Sequence, residues 1–123
     1  MPNESFSSVK VTYPRHSQAE LIALLRERIP ALALVLPVKR VVLFGSWAKR
    51  RATAFSDVDL LVVYADPPYE DAYKVVWHAM QIRGLEPHVY SESEAAALQG
   101  TLDRMTRDGI ALFPSDNVEG ASP

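Results

Sequence analysis

The apolar run Val41-Val42-Leu43-Phe44 and the valine- and leucine-rich segment from Asp57 to Tyr64 constrain this chain's fold more than any other feature. The first is continuous and β-prone, the pattern of a strand covered on both faces. The second reads as another strand. Helical signals surround them. Ser17-Gln18-Ala19-Glu20 is a capping box, and Leu21, Leu24, Leu25 and Ile29 follow at helical spacing, so a first helix is expected to about Arg28. Pro30 should interrupt or end it, and Pro37 limits any continuation. Gly45-Ser46 breaks the first strand into a turn and a short helix through about Arg51. Asp66-Pro67-Pro68 reads as the start of a helix from about Tyr69 to Ile82, closed by Gly84.

A third strand, 86–90, carries Glu86, His88 and Tyr90 on one face, and Pro87 suits a sheet edge. Ser91-Glu92-Ser93-Glu94 repeats the capping box and opens a helix with Ala97, Leu98 and Leu102 or Met105 inward. Asp108-Gly109 ends it, and Ile110 to Phe113 forms a last strand. The expected fold class is α/β, a small mixed sheet covered by helices. At 123 residues there is room for one domain, expected over 15–113. Residues 1–14 read as flexible, although Val9, Val11 and Tyr13 alternate as a short edge strand would, and 114–123 as a disordered tail.

Several chemistries drop out. No cysteine occurs, which removes disulfides, thiolate zinc sites and thiol nucleophiles. A formal charge of −2 argues against extensive nucleic-acid binding. Gly-x-x-x-x-Gly-Lys is absent, as is the second glycine of a hydrolase elbow. The most apolar stretch, 29–38, is short and holds two prolines, and 1–8 lacks a secretory pattern, so a cytoplasmic protein without a membrane span is expected.

What remains is a site for phosphate and metal. On a strand, Asp57 and Asp59 project to the same side, about 6.6 Å apart at roughly 3.3 Å per residue. Two carboxylates so placed can share hard divalent ions, which sit about 3.5 to 4 Å apart in two-metal sites. Alone, Ser56-Asp57-Val58-Asp59 reads first as a polar loop feeding a strand, with Ser56 capping its start. Its context adds force. Gly45-Ser46 lies between a strand and an expected helix, where backbone amides favour an anion, eleven residues before Asp57. Lys49, Arg50 and Arg51 lie between as candidate phosphate partners.

Phe44-Gly45-Ser46-Trp47-Ala48-Lys49 with Ser56-Asp57-Val58-Asp59-Leu60 resembles the nucleotidyltransferase superfamily that shares its core with DNA polymerase β, most closely its minimal single-domain members. The resemblance covers roughly residues 40–90 and implies the polymerase β palm-like fold. It departs at two points: Arg50 stands where the family has glycine, and Glu86 where the third carboxylate is usually Asp. It implies Asp57, Asp59 and Glu86 as catalytic and metal-binding residues, two Mg2+ ions, and ATP or another nucleoside triphosphate as donor. Gly45, Ser46, Lys49, Arg50 and Ser56 form the expected nucleotide-binding set. It further implies transfer of a nucleoside monophosphate, AMP foremost, to a hydroxyl on a partner macromolecule. Minimal members resemble the antitoxin half of a toxin-antitoxin pair whose partner is a HEPN-type ribonuclease. Two alternatives stay open: a weakly catalytic module that silences its partner by contact, and an antibiotic adenylyltransferase.

Other residues draw blander readings. His88 shares a strand face with Glu86 and is weighed as a site residue against a sheet-surface histidine. Trp47 either flanks nucleotide or packs in the core. Tyr64 and Tyr90 are candidates to stack a base. Trp77, Val76 and Met80 read as helix packing, Glu92 and Glu94 as capping, and His16 and His78 stay outside the site.

Overall fold

The computed structural model describes residues 17–53 and 56–114. The segment expected to be flexible, with its alternative strand at Val9 to Tyr13 and His16, lies outside the described residues, as does the tail beyond Pro114.

Helix α1 spans Gln18–Val35, with the predicted capping box in place: the Ser17 hydroxyl accepts from the Glu20 N–H at 3.1 Å, and the Glu20 carboxylate accepts from the Ser17 N–H at 2.8 Å. Leu21, Leu25, Ile29 and Leu32 bury one stripe. The helix does not stop near Arg28, because Pro30 faces solvent and the carbonyl its ring leaves unbonded belongs to Arg26, itself exposed to water. Burial of Leu32 and Leu36 beyond it, at about 1.5–3 kcal/mol each, offsets the roughly 3 kcal/mol cost of an internal proline.

Four strands follow the expected order: β1 (Val38–Phe44), β2 (Val58–Tyr64), β3 (Leu85–Ser91) and β4 (Ile110–Phe113). They are arranged β3-β2-β1-β4, with β1 antiparallel to both β2 and β4, and β2 parallel to β3. The parallel pair requires a crossover, which helix α2 (Ala72–Met80) supplies. Pro87 sits on edge strand β3 as predicted, where its missing N–H costs no inner ladder bond. Val41, Leu43, Leu60 and Val62 pack beneath α1 and α2. Val42, Phe44, Leu61 and Val63 meet Leu102 of helix α4 (Gln99–Met105) on the opposite face. Burial on both faces explains the unbroken apolar runs.

Asp66 does cap a helix, but not α2. Its Oδ1 accepts from the Ser93 N–H at 3.1 Å and the Ser93 hydroxyl at 2.9 Å, tying the loop after β2 to helix α3 (Glu92–Ala97). Helix α2 begins three residues later than expected, since the Tyr69 N–H is held by the Tyr64 hydroxyl at 2.8 Å. Gln81, at φ 50°, closes it rather than Gly84, which turns the chain into β3. Val76 and Met80 are buried as read, whereas Trp77 is 49% exposed. The last helical segment breaks at Leu98, which is 40% exposed beside an exposed Ala97; Leu102 alone is deeply buried there, with Met105 half-buried.

Ser91 is fully buried and forms the second capping box with Glu94, its hydroxyl accepting from the Glu94 N–H at 3.2 Å. Ser91→Ala is expected to cost about 1–2 kcal/mol in chemical denaturation. The backbone and hydroxyl bonds from Ser93 hold the Asp66 carboxyl below its ordinary 3.8. A depressed carboxylate adds stability above its unfolded pKa and loses it as pH falls through the lower folded value. The stability gap between wild type and Asp66→Asn should therefore be complete at neutral pH and close progressively below pH 3.8.

Candidate active site

Strand β1 ends where the turn begins, and the register Phe44↔Asp59 brings that end against the start of β2. Gly45 has φ +79°, a conformation side chains rarely adopt. A Cβ there would meet Asp59, at 3.2 Å from Cγ, 3.3 Å from Cβ and closer still to Oδ2. The turn and the carboxylate, separate motifs in sequence, are thus in contact.

The turn is wound but is not the regular short helix expected. Lys49 N–H donates to the Gly45 carbonyl at 3.1 Å, Arg50 N–H to Trp47 at 3.3 Å and Arg51 N–H to Ser46 at 2.8 Å, so the repeat changes at each residue. The cause is Arg50, at φ 60°, which reverses the winding. An anion here would meet individual amides and the Ser46 hydroxyl rather than a helix dipole. Sequence reasoning missed Gln18, whose Nε2 donates to the Trp47 and Ala48 carbonyls at 3.0 and 3.1 Å while its Oε1 accepts from Arg50 Nε at 3.3 Å. No local signal marks a residue that acts on a turn almost thirty positions away.

Trp47 is buried in the α1-side core, which decides its role as packing, and Tyr64 is likewise interior. Tyr90 is half-buried against the α4-side cluster. Lys49 and Arg51 are exposed, with no ion pair among the described residues. Ser56 Oγ accepts from Thr53 N–H at 2.9 Å, a bond that runs back to Thr53 rather than capping the start of β2, and it leaves the hydroxyl hydrogen able to donate elsewhere.

Asp57 is exposed just before β2, and Asp59 lies within it with its side chain 28% exposed. Glu86 pairs with Asp59 across the parallel ladder, about 4.8 Å away in backbone terms, and is exposed. Among the described residues no three His, Cys, Asp or Glu side chains gather closely enough to cage a metal. The three carboxylates occupy one region without converging.

A profile of the nucleotidyltransferase domain matches residues 20–110, spanning the turn, the paired aspartates and β3 together. The chain belongs to this nucleotidyltransferase family. A crystal structure named as a nucleotidyltransferase from Sulfolobus solfataricus has a similar fold, with 24% identity, TM-score 0.52, and coverage of 77% of this chain and 81% of that one. A toxin-antitoxin crystal structure with AMP-PNP superposes at TM-score 0.51 with 20% identity, covering 85% of this chain and 79% of that one. Among curated proteins, none matches the chain. Arg50, at φ 60°, holds a left-handed backbone position that glycine adopts without steric cost. Because both substitutions remove the same side chain, Arg50→Gly should be more stable than Arg50→Ala by about 1 kcal/mol, read from denaturation midpoints.

Proposed function

We propose that this nucleotidyltransferase domain moves a nucleoside monophosphate, AMP from ATP foremost, onto a hydroxyl of a protein partner. The contact between Gly45 and Asp59 carries the reading, because it puts a turn open to phosphate beside a carboxylate open to cation. The donor set suits Mg2+, which prefers one or two carboxylates completed by substrate phosphates over an all-protein cage. Asp57 and Asp59 would hold the metal, with Glu86 as a third ligand. Bound there, Mg2+ supplies charge neutralisation at the entering and leaving oxygens.

The chain's own residues do the rest. Gly45 and Ser46 hold the outer phosphates, Lys49 and Arg50 screen their charge, and Ser56 fixes the approach to Asp57. Glu86 would complete the metal site and help activate the incoming hydroxyl, which gives up its proton as it attacks. A bond forms from that oxygen to the α-phosphorus, the bond to the bridging oxygen breaks, and pyrophosphate leaves. The partner of an antitoxin-like member would be a HEPN-type ribonuclease, a reading supported by the sequence resemblance and by a structural neighbour that is itself a toxin-antitoxin assembly with AMP-PNP. Cytoplasmic residence goes with that role, and no helix among the described residues is long and apolar enough to cross a membrane.

Arg50 in place of a small residue beside the phosphate turn, and Glu86 in place of a shorter carboxylate, favour one rival, a module that neutralises its partner by contact alone. Incubation with α-labelled ATP, Mg2+ and the product of the adjacent gene separates the two. Label on the partner, lost with Asp57→Asn, supports transfer; a tight unlabelled complex supports the rival. Labelling that survives Asp57→Asn combined with Asp59→Asn contradicts the assignment.

A further inference from the structure

We propose that His88 is a positioning residue that holds the Asp59 carboxylate in orientation through its Nε2–H. The inference rests on the reading of Asp59 as a metal and nucleotide ligand. In β3, His88 follows Glu86 on the same face and pairs with Leu61, two residues beyond Asp59 in β2, and its ring reaches back to the Asp59 carboxylate. Nε2 lies 3.6 Å from Asp59 Oδ1, too long for a hydrogen bond and short enough to close by a small side-chain rotation. The ring is set edge-on against Phe44, with centroids 5.1 Å apart and planes at 60°, which limits its freedom to turn elsewhere.

The decisive observation is that Nε2 is buried with no hydrogen-bond partner, although the side chain as a whole is 30% exposed. A histidine there for packing alone would turn its polar edge to water. This one turns it inward, toward Asp59. A buried unpaired nitrogen is costly, and a small rotation that lets Nε2–H donate a hydrogen bond to the nearby carboxylate oxygen would remove that cost. The two oxygens of Asp59 then differ in role: Oδ1 faces His88, while Oδ2 lies against Gly45 and the phosphate turn. Carboxylate torsions are broad, so an unheld Asp59 would sample orientations that turn Oδ2 away. Groups that orient a metal-binding carboxylate typically contribute about 10–100-fold to affinity.

Two measurements test this, one independent of nucleotide. In nitrogen-detected NMR of the free protein at pH 8, His88 should carry its proton on Nε2, and Asp59→Asn should shift that resonance; a proton on Nδ1 overturns the inference. In calorimetry with Mg2+ and a non-hydrolysable α,β-methylene ATP, His88→Leu should weaken binding about 10-fold or more at an unchanged melting temperature. His88→Gln, which places an N–H near the same point, should recover most of it, and His88→Leu should have no further effect in an Asp59→Asn background. Wild-type binding that His88→Leu leaves intact removes the role of His88 and leaves the proposed function standing. No wild-type binding, with the proton found on Nε2, removes nucleotidyl transfer and supports the His88–Asp59 contact.

Discussion

Asp59→Asn should reduce nucleotide transfer by at least about 100-fold while leaving the fold intact. The substitution keeps the shape of the side chain and removes one negative charge. Its neighbours are Gly45 on one side and His88 on the other, and neither clashes with an amide of equal size. Loss of a residue that merely supports a metal ligand typically costs about 10–100-fold, so loss of the ligand's own charge should cost no less. Single-turnover labelling from α-labelled ATP gives the rate, and the melting temperature gives the fold. A fall in transfer matched by a fall in melting temperature would mean that Asp59 is structural. A transfer rate within a few-fold of wild type would remove it from the chemistry.

Gly45→Ala should be among the most destabilising single substitutions in the domain, at about 2–5 kcal/mol. Left-handed backbone costs a side-chain-bearing residue about 1–2 kcal/mol, and an overpacked contact costs about 1–3 kcal/mol more. The contact is unavoidable, because the new methyl group would meet Asp59 at its carboxylate and at Cβ, 3.3 Å away. Gly84→Ala is the internal control. Gly84 has a similar φ of +75°, but its nearest non-local atom is the Ser56 carbonyl oxygen at 3.8 Å, so only the backbone term applies. Denaturant midpoints should therefore fall further for Gly45→Ala than for Gly84→Ala. Only the first should also abolish nucleotide binding, because relieving the clash displaces Asp59. Equal losses at the two positions would mean that the Gly45–Asp59 contact is soft.

Elements whose signals are local were legible in the sequence. Both capping boxes, at Ser17 and Ser91, are satisfied within four residues, and the four described strands carry β-prone side chains over their own length. Errors arose where a partner lay far along the chain. Pro30 does not end α1 because the core contact of Leu32 outweighs the local penalty. Asp66 caps Ser93, twenty-seven residues on, rather than the next helix. Leu98 is exposed because the helix breaks there, two residues before Gly100, a helix-weakening residue that the apolar spacing outweighed in the sequence reading.

The site shows the same division. Gly45 and Asp59 could be named from spacing, yet their contact depends on the antiparallel register of β1 and β2. Arg50 was visible as a departure from the family glycine, but its cost was not, since that depends on a backbone angle of 60°. Gln18 gave no sign of the turn it staples, and His88 drew interest only because it shares a face with Glu86.

The central claim is that the turn at Gly45 and the carboxylates after it form one site for metal-bound nucleotide. Crystals grown with Mn2+ and α,β-methylene ATP test it most directly, because manganese is located by its anomalous scattering independently of the ligand. The account predicts manganese at the Asp57 and Asp59 carboxylates, with the triphosphate against Gly45 and Ser46. Manganese elsewhere, or a triphosphate that does not touch the turn, would contradict it.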